Sequence, residues 1–299
     1  MLFSAWPASG DWSTMLKEWE HLASQGWSGL WSMDHFMTTT DSHNNPVTES
    51  MTALAALGSI VPDLKIGTMV AGNTYRHPAI LAKMAINIDL ITKGRFILGI
   101  GCGWQEIEHR SFGINFPNVS ERVRMLDESA SILSQLLKGE VVNFSGKYYE
   151  IDNVKLNPGS IQNPIPLLIG GGGEQVTLKT VAKYADAWNI WANPKLFEKK
   201  SNVLEKHCDA VGRDSAKIHK TVAVNILFSD DKNFVNQESK NSWSLIGGNE
   251  DEITQKIGDF QDLGVDEIIV ASYDKSTYQS IGMEEMNHFS ESIIKFFNG

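Results

Sequence analysis

Asp34 and His35 stand side by side after a short apolar run, residues 29–33. A carboxylate beside an imidazole at a strand end makes a group that donates or accepts a proton near neutral pH. A lone histidine is more often structural than catalytic, so the weight here falls on its position and its acidic neighbour. Further along, Gly170-Gly171-Gly172-Gly173-Glu174 follows a second apolar run and precedes a helix-like stretch. Glycines between strand and helix let backbone N–H groups approach an anion, and the helix N-terminus adds a favourable partial charge. A helix starting near Glu174 would present the N–H groups of residues 172–174. The run misses the dinucleotide fingerprint G-x-G-x-x-G, whose last glycine would fall on Gln175. A plain flexible turn is the bland alternative.

Two further segments bring small or polar residues to strand ends. Gly67-Thr68-Met69-Val70-Ala71-Gly72-Asn73 turns into Gly-Asn directly after apolar residues, which suits a bulge that supports a planar ring from behind. A simple strand-to-loop transition is the alternative. Gly99-Ile100-Gly101-Cys102-Gly103-Trp104-Gln105-Glu106 places Cys102 between glycines, where a small residue in a tight approach needs no redox role.

These segments are positioned by an alternation that runs from end to end. Strand-like runs fall at residues 2–5, 29–33, 65–69, 96–101, 167–170, 187–191, 221–228 and 267–271. They are short and mostly apolar, as parallel strands covered on both faces are. Amphipathic stretches at 12–25, 78–91, 121–137, 174–184, 194–211 and 251–263 lie between them. Eight strands with following helices make a (β/α)8 TIM barrel, in which the site is assembled at the C-terminal strand ends. Pro78 suits a first helical turn, and glycines at 26, 94 and 264 suit helix ends. The stretch 141–151, VVNFSGKYYEI, reads as an inserted β-hairpin around Ser145-Gly146. The polar stretch 230–248 begins at a strand's C-terminal end and reads either as a mobile lid or as a solvated loop. The first apolar run starts at Met1, which leaves open a strand start further upstream.

Length and composition set the bounds. The 299 residues, 42% hydrophobic with 9 tryptophans, are read as one domain over 1–299. A net charge of −10 without a basic block argues against nucleic acid and anionic membrane as partners. Two cysteines exclude a disulfide framework and suit a reducing cytoplasm. No apolar run approaches the ~18 residues of a membrane span.

At these residues the sequence resembles the bacterial luciferase-like superfamily, in particular its deazaflavin (coenzyme F420)-dependent oxidoreductases. The resemblance rests on GWSGLWSMDHF (26–36), IGTMVAGNTYRHPAILAKMA (66–85), GRFILGIGCGWQEIEHRSFGINFP (94–117) and PIPLLIGGGGEQVTLKTVAKYADAWN (164–189). These cover most of residues 26–190 in the family's order; beyond 191 little signature remains. The resemblance implies hydride transfer between F420 and a small organic substrate, with His35 and Asp34 as catalytic residues. It implies a cofactor seat formed by Asp34, His35, Thr68, Met69, Val70, Gly72, Asn73, Trp104, Gly170, Gly171, Gly172, Gly173 and Glu174. Within that seat a cis peptide at Met69–Val70 backs the ring, Asn73 lies near the ribityl chain, and the glycine run takes the phosphate. Arg76 and His77 are candidate cations for the acidic cofactor tail. Trp104 stands where some deazaflavin sugar dehydrogenases have a catalytic glutamate, which argues against that sugar chemistry. A homodimer is implied as well.

Three other readings stay open. An FMN-dependent monooxygenase would share the fold and use oxygen with flavin from a separate cofactor reductase. A non-catalytic flavin-binding barrel would keep the seat without the reaction. Glu-x-x-His recurs at 18–21, 106–109 and 285–288, a spacing used by di-iron bundles. Those need four long facing helices, which the short alternating elements do not provide, so no metal is expected.

Overall fold

A computed structural model describes residues 1–39, 44–61, 63–242, 244–272 and 283–298. Eight parallel strands close a barrel: β1 (Leu2–Pro7), β2 (Gly29–Ser32), β3 (Lys65–Thr68), β4 (Phe96–Gly101), β5 (Leu167–Gly170), β6 (Ala187–Trp191), β7 (His219–Phe228) and β8 (Glu267–Ser272). Each pairs with the next, and β8 returns to β1 over six residue pairs, Leu2↔Glu267 to Pro7↔Ser272. This is the (β/α)8 architecture expected from the alternation. The principal helices are α1 (Trp12–Ala23), α2 (Ser50–Ile60), α3 (Pro78–Ile91), α4 (Val119–Leu136), α5 (Thr177–Tyr184), α6 (Pro194–Ala210) and α7 (Glu250–Asp262).

The apolar side chains divide into two cores. Leu30, Ile66, Leu98, Ile169, Val222 and Ile268 face outward from the strands against the helices. Trp6, Trp31, Met33, Met69, Leu168 and Ile269 fill the barrel interior. Gly67 belongs to the second core's economy of space: a β-carbon there would sit 2.5 Å from the Trp31 ring.

Helix ends follow local chemistry. Pro78 opens α3 beneath a His77 cap whose ring accepts from Ala79 N–H at 3.2 Å. Gly94 ends that helix at φ +81°, donating its N–H to Asp89 C=O at 2.9 Å. Helix α2 had no counterpart among the expected stretches. It is apolar almost all round and so lacks the one-sided periodicity that marks an amphipathic helix. Its cap is Glu49, whose carboxylate accepts from Met51 and Thr52 N–H at 3.0 and 2.8 Å.

The hairpin is present, with Val142–Ser145 antiparallel to Glu150–Val154 between α4 and β5. Glu128 of α4 anchors it by accepting from the N–H groups of Lys147, Tyr148 and Tyr149. The stretch after β7 differs from both expectations of a loop. It forms a helix, Lys232–Asn241, capped by Asp231, and a strand, Leu245–Gly248, parallel to the end of β7; residue 243 lies outside the described residues. Regular backbone hydrogen bonding thus organises that polar segment. The helix expected from Glu174 begins at Thr177 instead, after a turn in which Leu178 N–H reaches back to Gly173 C=O at 2.9 Å. No helix among the described residues is long and apolar enough to cross a membrane.

Candidate active site

The register of β3 and β4 creates the floor of the site. Gly67 pairs with Ile97, and pairing resumes with Ala71 opposite Ile100, so residues 67–71 oppose 97–100 with one residue extra. That is a β-bulge, and it re-aims the inserted side chain toward the barrel mouth. The Met69–Val70 peptide within it is cis. Val70 is accommodated because its neighbours lack side chains. A β-carbon on Gly101 would lie 2.6 Å from Val70 Cγ2, and one on Gly170 would lie 3.0 Å from its Cγ1.

Above this floor opens a cavity of about 470 Å³ at the C-terminal strand ends. Trp6, Met33, Met69, Val70, Ile190 and Trp191 give it apolar walls, with Asp34, His35, Cys102, Trp104 and Gly170–172 at its polar and open edges. Trp6 and Trp191 face each other with ring centroids 5.4 Å apart. Trp104 is 61% exposed and meets His35 edge-on at 5.5 Å, so it stands at the mouth rather than in the floor. Burial in this wall pushes the Cys102 thiol up, which keeps it protonated and unreactive near neutral pH.

The two residues at the end of β2 are held by different partners. Asp34 is buried and bound to Arg76, at 2.6 Å to Nη1 and 3.0 Å to Nη2, and it accepts Gly72 N–H at 3.1 Å. It thereby ties the end of the bulge to the guanidinium. Arg76 also reaches Glu49 at 2.6 Å. Burial works against its charge, yet Asp34 and Glu49 outweigh burial and hold its pKa above the ordinary value.

His35 pairs not with its sequence neighbour but with Glu108, Nδ1 to Oε1 at 2.7 Å. Glu108 is completely buried and also accepts from Phe36 N–H at 2.8 Å and from the Tyr75 hydroxyl. Burial favours the neutral acid, but the bonds from His35, Phe36 and Tyr75 prevail and hold Glu108 below its usual value. An ionised Glu108 accepts the Nδ1 proton, so Nε2 becomes the basic nitrogen of the neutral ring.

At the far edge, Gly171 N–H donates to Asn189 C=O at 2.9 Å, and Gly171 C=O accepts Trp188 Nε1–H at 2.8 Å. Among the described residues, the N–H groups of Gly172 and Gly173 donate to no protein acceptor. An anion-sized set of donors is therefore left at the cavity's rim.

The profile of the luciferase-like monooxygenase family matches residues 4–246. The chain belongs to that family. Among its curated relatives, an F420-dependent glucose-6-phosphate dehydrogenase from Kineococcus radiotolerans is 29% identical over 214 residues, covering 69% of this chain and 61% of the relative. A pyrimidine monooxygenase, RutA, from Caulobacter segnis is 33% identical over 172 residues, covering 56% of this chain and 48% of the relative. The matches thus span from about half to three-fifths of those proteins' lengths. A coenzyme F420-dependent tetrahydromethanopterin reductase from Methanopyrus kandleri superposes with TM-score 0.79 over 99% of both chains at 21% identity, a likeness of fold.

Within this luciferase-like barrel, Asp34, His35, Met69, Val70, Gly72, Trp104 and Gly170–172 converge on the cavity. Other sequence candidates do not line it. Thr68 is buried and spends its hydroxyl on Gly99, donating to C=O at 2.7 Å and accepting N–H at 2.9 Å. Asn73 is buried behind the wall and donates to the Tyr149 hydroxyl at 3.1 Å. Gly173 and Glu174 do not line the cavity; they follow directly on its glycine rim. Arg76 and His77, expected near an acidic tail, are engaged by Asp34 and Glu49 and by the α3 cap respectively.

Sequence reasoning missed Glu108 altogether. It lies next to His109 in the Glu-x-x-His segment 106–109, and only the fold shows that both are buried on a short helix, Glu106–Ser111. His109 itself donates from Nδ1 to Gln105 C=O at 2.7 Å, and its Nε2 meets Thr74 Oγ1 at 2.6 Å. Among the described residues no three His, Cys, Asp or Glu side chains converge as a metal site would require.

Proposed function

We propose that the protein is an oxidoreductase that moves a hydride between coenzyme F420 and a small organic substrate, with His35 handling the accompanying proton. The observation that carries this is the His35–Glu108 pair, 2.7 Å long, at the edge of an apolar cavity floored by Val70. The residues fit a planar ring with a phosphorylated tail. Side chains absent at Gly101 and Gly170 leave room for Val70 to back the ring, and the N–H groups of Gly172 and Gly173, without acceptors among the described residues, suit an anion.

When bound, the deazaflavin supplies two-electron hydride chemistry at its ring C5. The chain's own residues bind, orient and exclude water. Asp34, through Gly72 N–H and Arg76, fixes the bulge that carries Val70. Trp6, Trp191 and Met33 wall off solvent from the reacting face. Glu108 holds the Nδ1 proton, so His35 Nε2 takes a proton from a substrate hydroxyl or returns one in the reverse direction. The relatives named as F420-dependent dehydrogenases support this reading.

The similarity to a pyrimidine monooxygenase favours a second one, in which the same residues would hold FMN reduced by a separate reductase and the flavin would supply oxygen chemistry. A homodimer of single-domain barrels is the working assembly in either case. Titration of the purified protein with F420 and with FMN, followed by fluorescence or heat, tests both readings. Micromolar or tighter preference for F420 is expected. Preference for FMN would transfer the proposal to the monooxygenase reading, and binding of neither would end both.

A further inference from the structure

The glycine rim is bordered by a helix face that no part of the proposed chemistry yet uses. On α6, Lys200 Nζ donates to Glu174 Oε1 at 2.9 Å, Lys199 Nζ lies 3.4 Å from the same oxygen, and His207 Nε2 meets Glu174 C=O at 2.7 Å. Lys200 and His207 are seven residues apart, two helical turns, and so share one face. Lys200 is the more enclosed lysine, its side chain 18% exposed against 66% for Lys199. Its Cε lies 3.7 Å from where a β-carbon on Gly172 would stand.

We propose that Lys200 is a direct ligand of the cofactor's phosphoryl group, and that Glu174 holds its ammonium until that group binds. This rests on the reading that a phosphorylated flavin or deazaflavin occupies the cavity.

Three observations converge on it. The N–H groups of Gly172 and Gly173 lack acceptors among the described residues, and Lys200 arrives beside them from a different element. Glu174, one residue past the loop, pairs with the lysines but with none of those N–H groups. A phosphoryl group presents several acceptor oxygens, so it engages the ammonium and the N–H groups together, as the tethered carboxylate does not. Finally, Arg76, a cation near the cavity, is bound to Asp34 and Glu49. In a chain of net charge −10, recognition of an anion has to be local, and Lys200 is an enclosed cation beside this rim. Glu174 then acts as a competitor for the lysine rather than as a ligand.

The opposite signs of two substitutions test this. The protein is titrated with FMN and riboflavin, and with F420 and its phosphate-free ribityl deazaflavin. Lys200→Gln is expected to weaken the phosphorylated member of the bound pair by about tenfold, the range of one charge-assisted contact, and to leave the phosphate-free member unchanged. Lys200→Arg restores most of the loss. Glu174→Gln tightens the phosphorylated member, because it removes the competing anion. Equal shifts for phosphorylated and phosphate-free forms would show a merely structural lysine and overturn the proposal. So would the absence of any shift in the Lys200 variant, or weaker phosphorylated binding in Glu174→Gln. If the unsubstituted protein binds none of the four compounds, the cofactor reading itself fails, and this inference falls with it.

Discussion

Replacing Glu108 by glutamine tests whether the carboxylate acts through His35. In the native protein one oxygen takes His35 Nδ1–H and the Tyr75 hydroxyl, while the other takes Phe36 N–H. Glutamine fills the same volume but offers one acceptor oxygen and a donating amide. Whichever way it turns, at least one buried donor faces another donor. Hydrogen bonds to a charged group contribute about 1.5–3 kcal/mol each, so losing one and weakening the rest costs ~3 kcal/mol. At ~2.1 cal/mol/K per residue of unfolding entropy, that lowers Tm by about 5 °C. Denaturant unfolding of Glu108→Gln, His35→Ala and the double variant then isolates the pair. The expected coupling is about 1.5 kcal/mol, because either single change already forfeits the His35–Glu108 bond. The native pair also carries a pH signature of known sign. The folded pKa of Glu108 lies below its unfolded value, so its stabilisation is full above the unfolded pKa of ~4.3 and is lost as pH falls through the folded pKa. Glu108→Gln flattens that acid limb. A coupling near zero, with an unchanged acid limb, would refute the idea that Glu108 orients His35.

Two other outcomes follow from the same geometry. Gly101→Ala puts a β-carbon 2.6 Å from Val70 Cγ2, so the bulge must shift; ring binding measured by cofactor fluorescence is expected to weaken at least tenfold, and an unaltered affinity would show that Val70 does not back the ring. At the opposite end of the barrel, His219 Nε2 meets Glu267 at 2.9 Å with Asp266 nearby; burial disfavours its charge, but these carboxylates outweigh it and raise its pKa. Its contribution is therefore full below the unfolded value of ~6.5 and is lost as pH rises through the folded pKa. Tm measured from pH 6 to 9 should fall on that account, and His219→Gln should remove that part of the slope.

The alternation of short apolar runs with amphipathic stretches was enough to define the barrel, because parallel strands buried on both faces and helices with one apolar stripe leave unlike periodicities. The placement of Asp34-His35, the 67–73 segment and the glycine run at strand ends was legible for the same reason: they directly follow those runs. Helix α2 was not, since a helix apolar all round has no stripe to read. Nor was the secondary structure after β7, where a polar sequence is held by backbone pairing of Leu245–Gly248 with β7.

The partners within the site were decided by the tertiary structure alone. Asp34 and His35 are adjacent in sequence yet take different partners, one Arg76 and the other Glu108, 73 residues away in sequence. Thr68 likewise turns from the cavity toward Gly99. Gly170 reads as part of an anion-binding run and Gly101 as a flank of Cys102, yet what both provide is room for Val70 from a neighbouring segment. Sequence periodicity determined which residues reach the rim; the strand register and the bulge determined which side chains meet there.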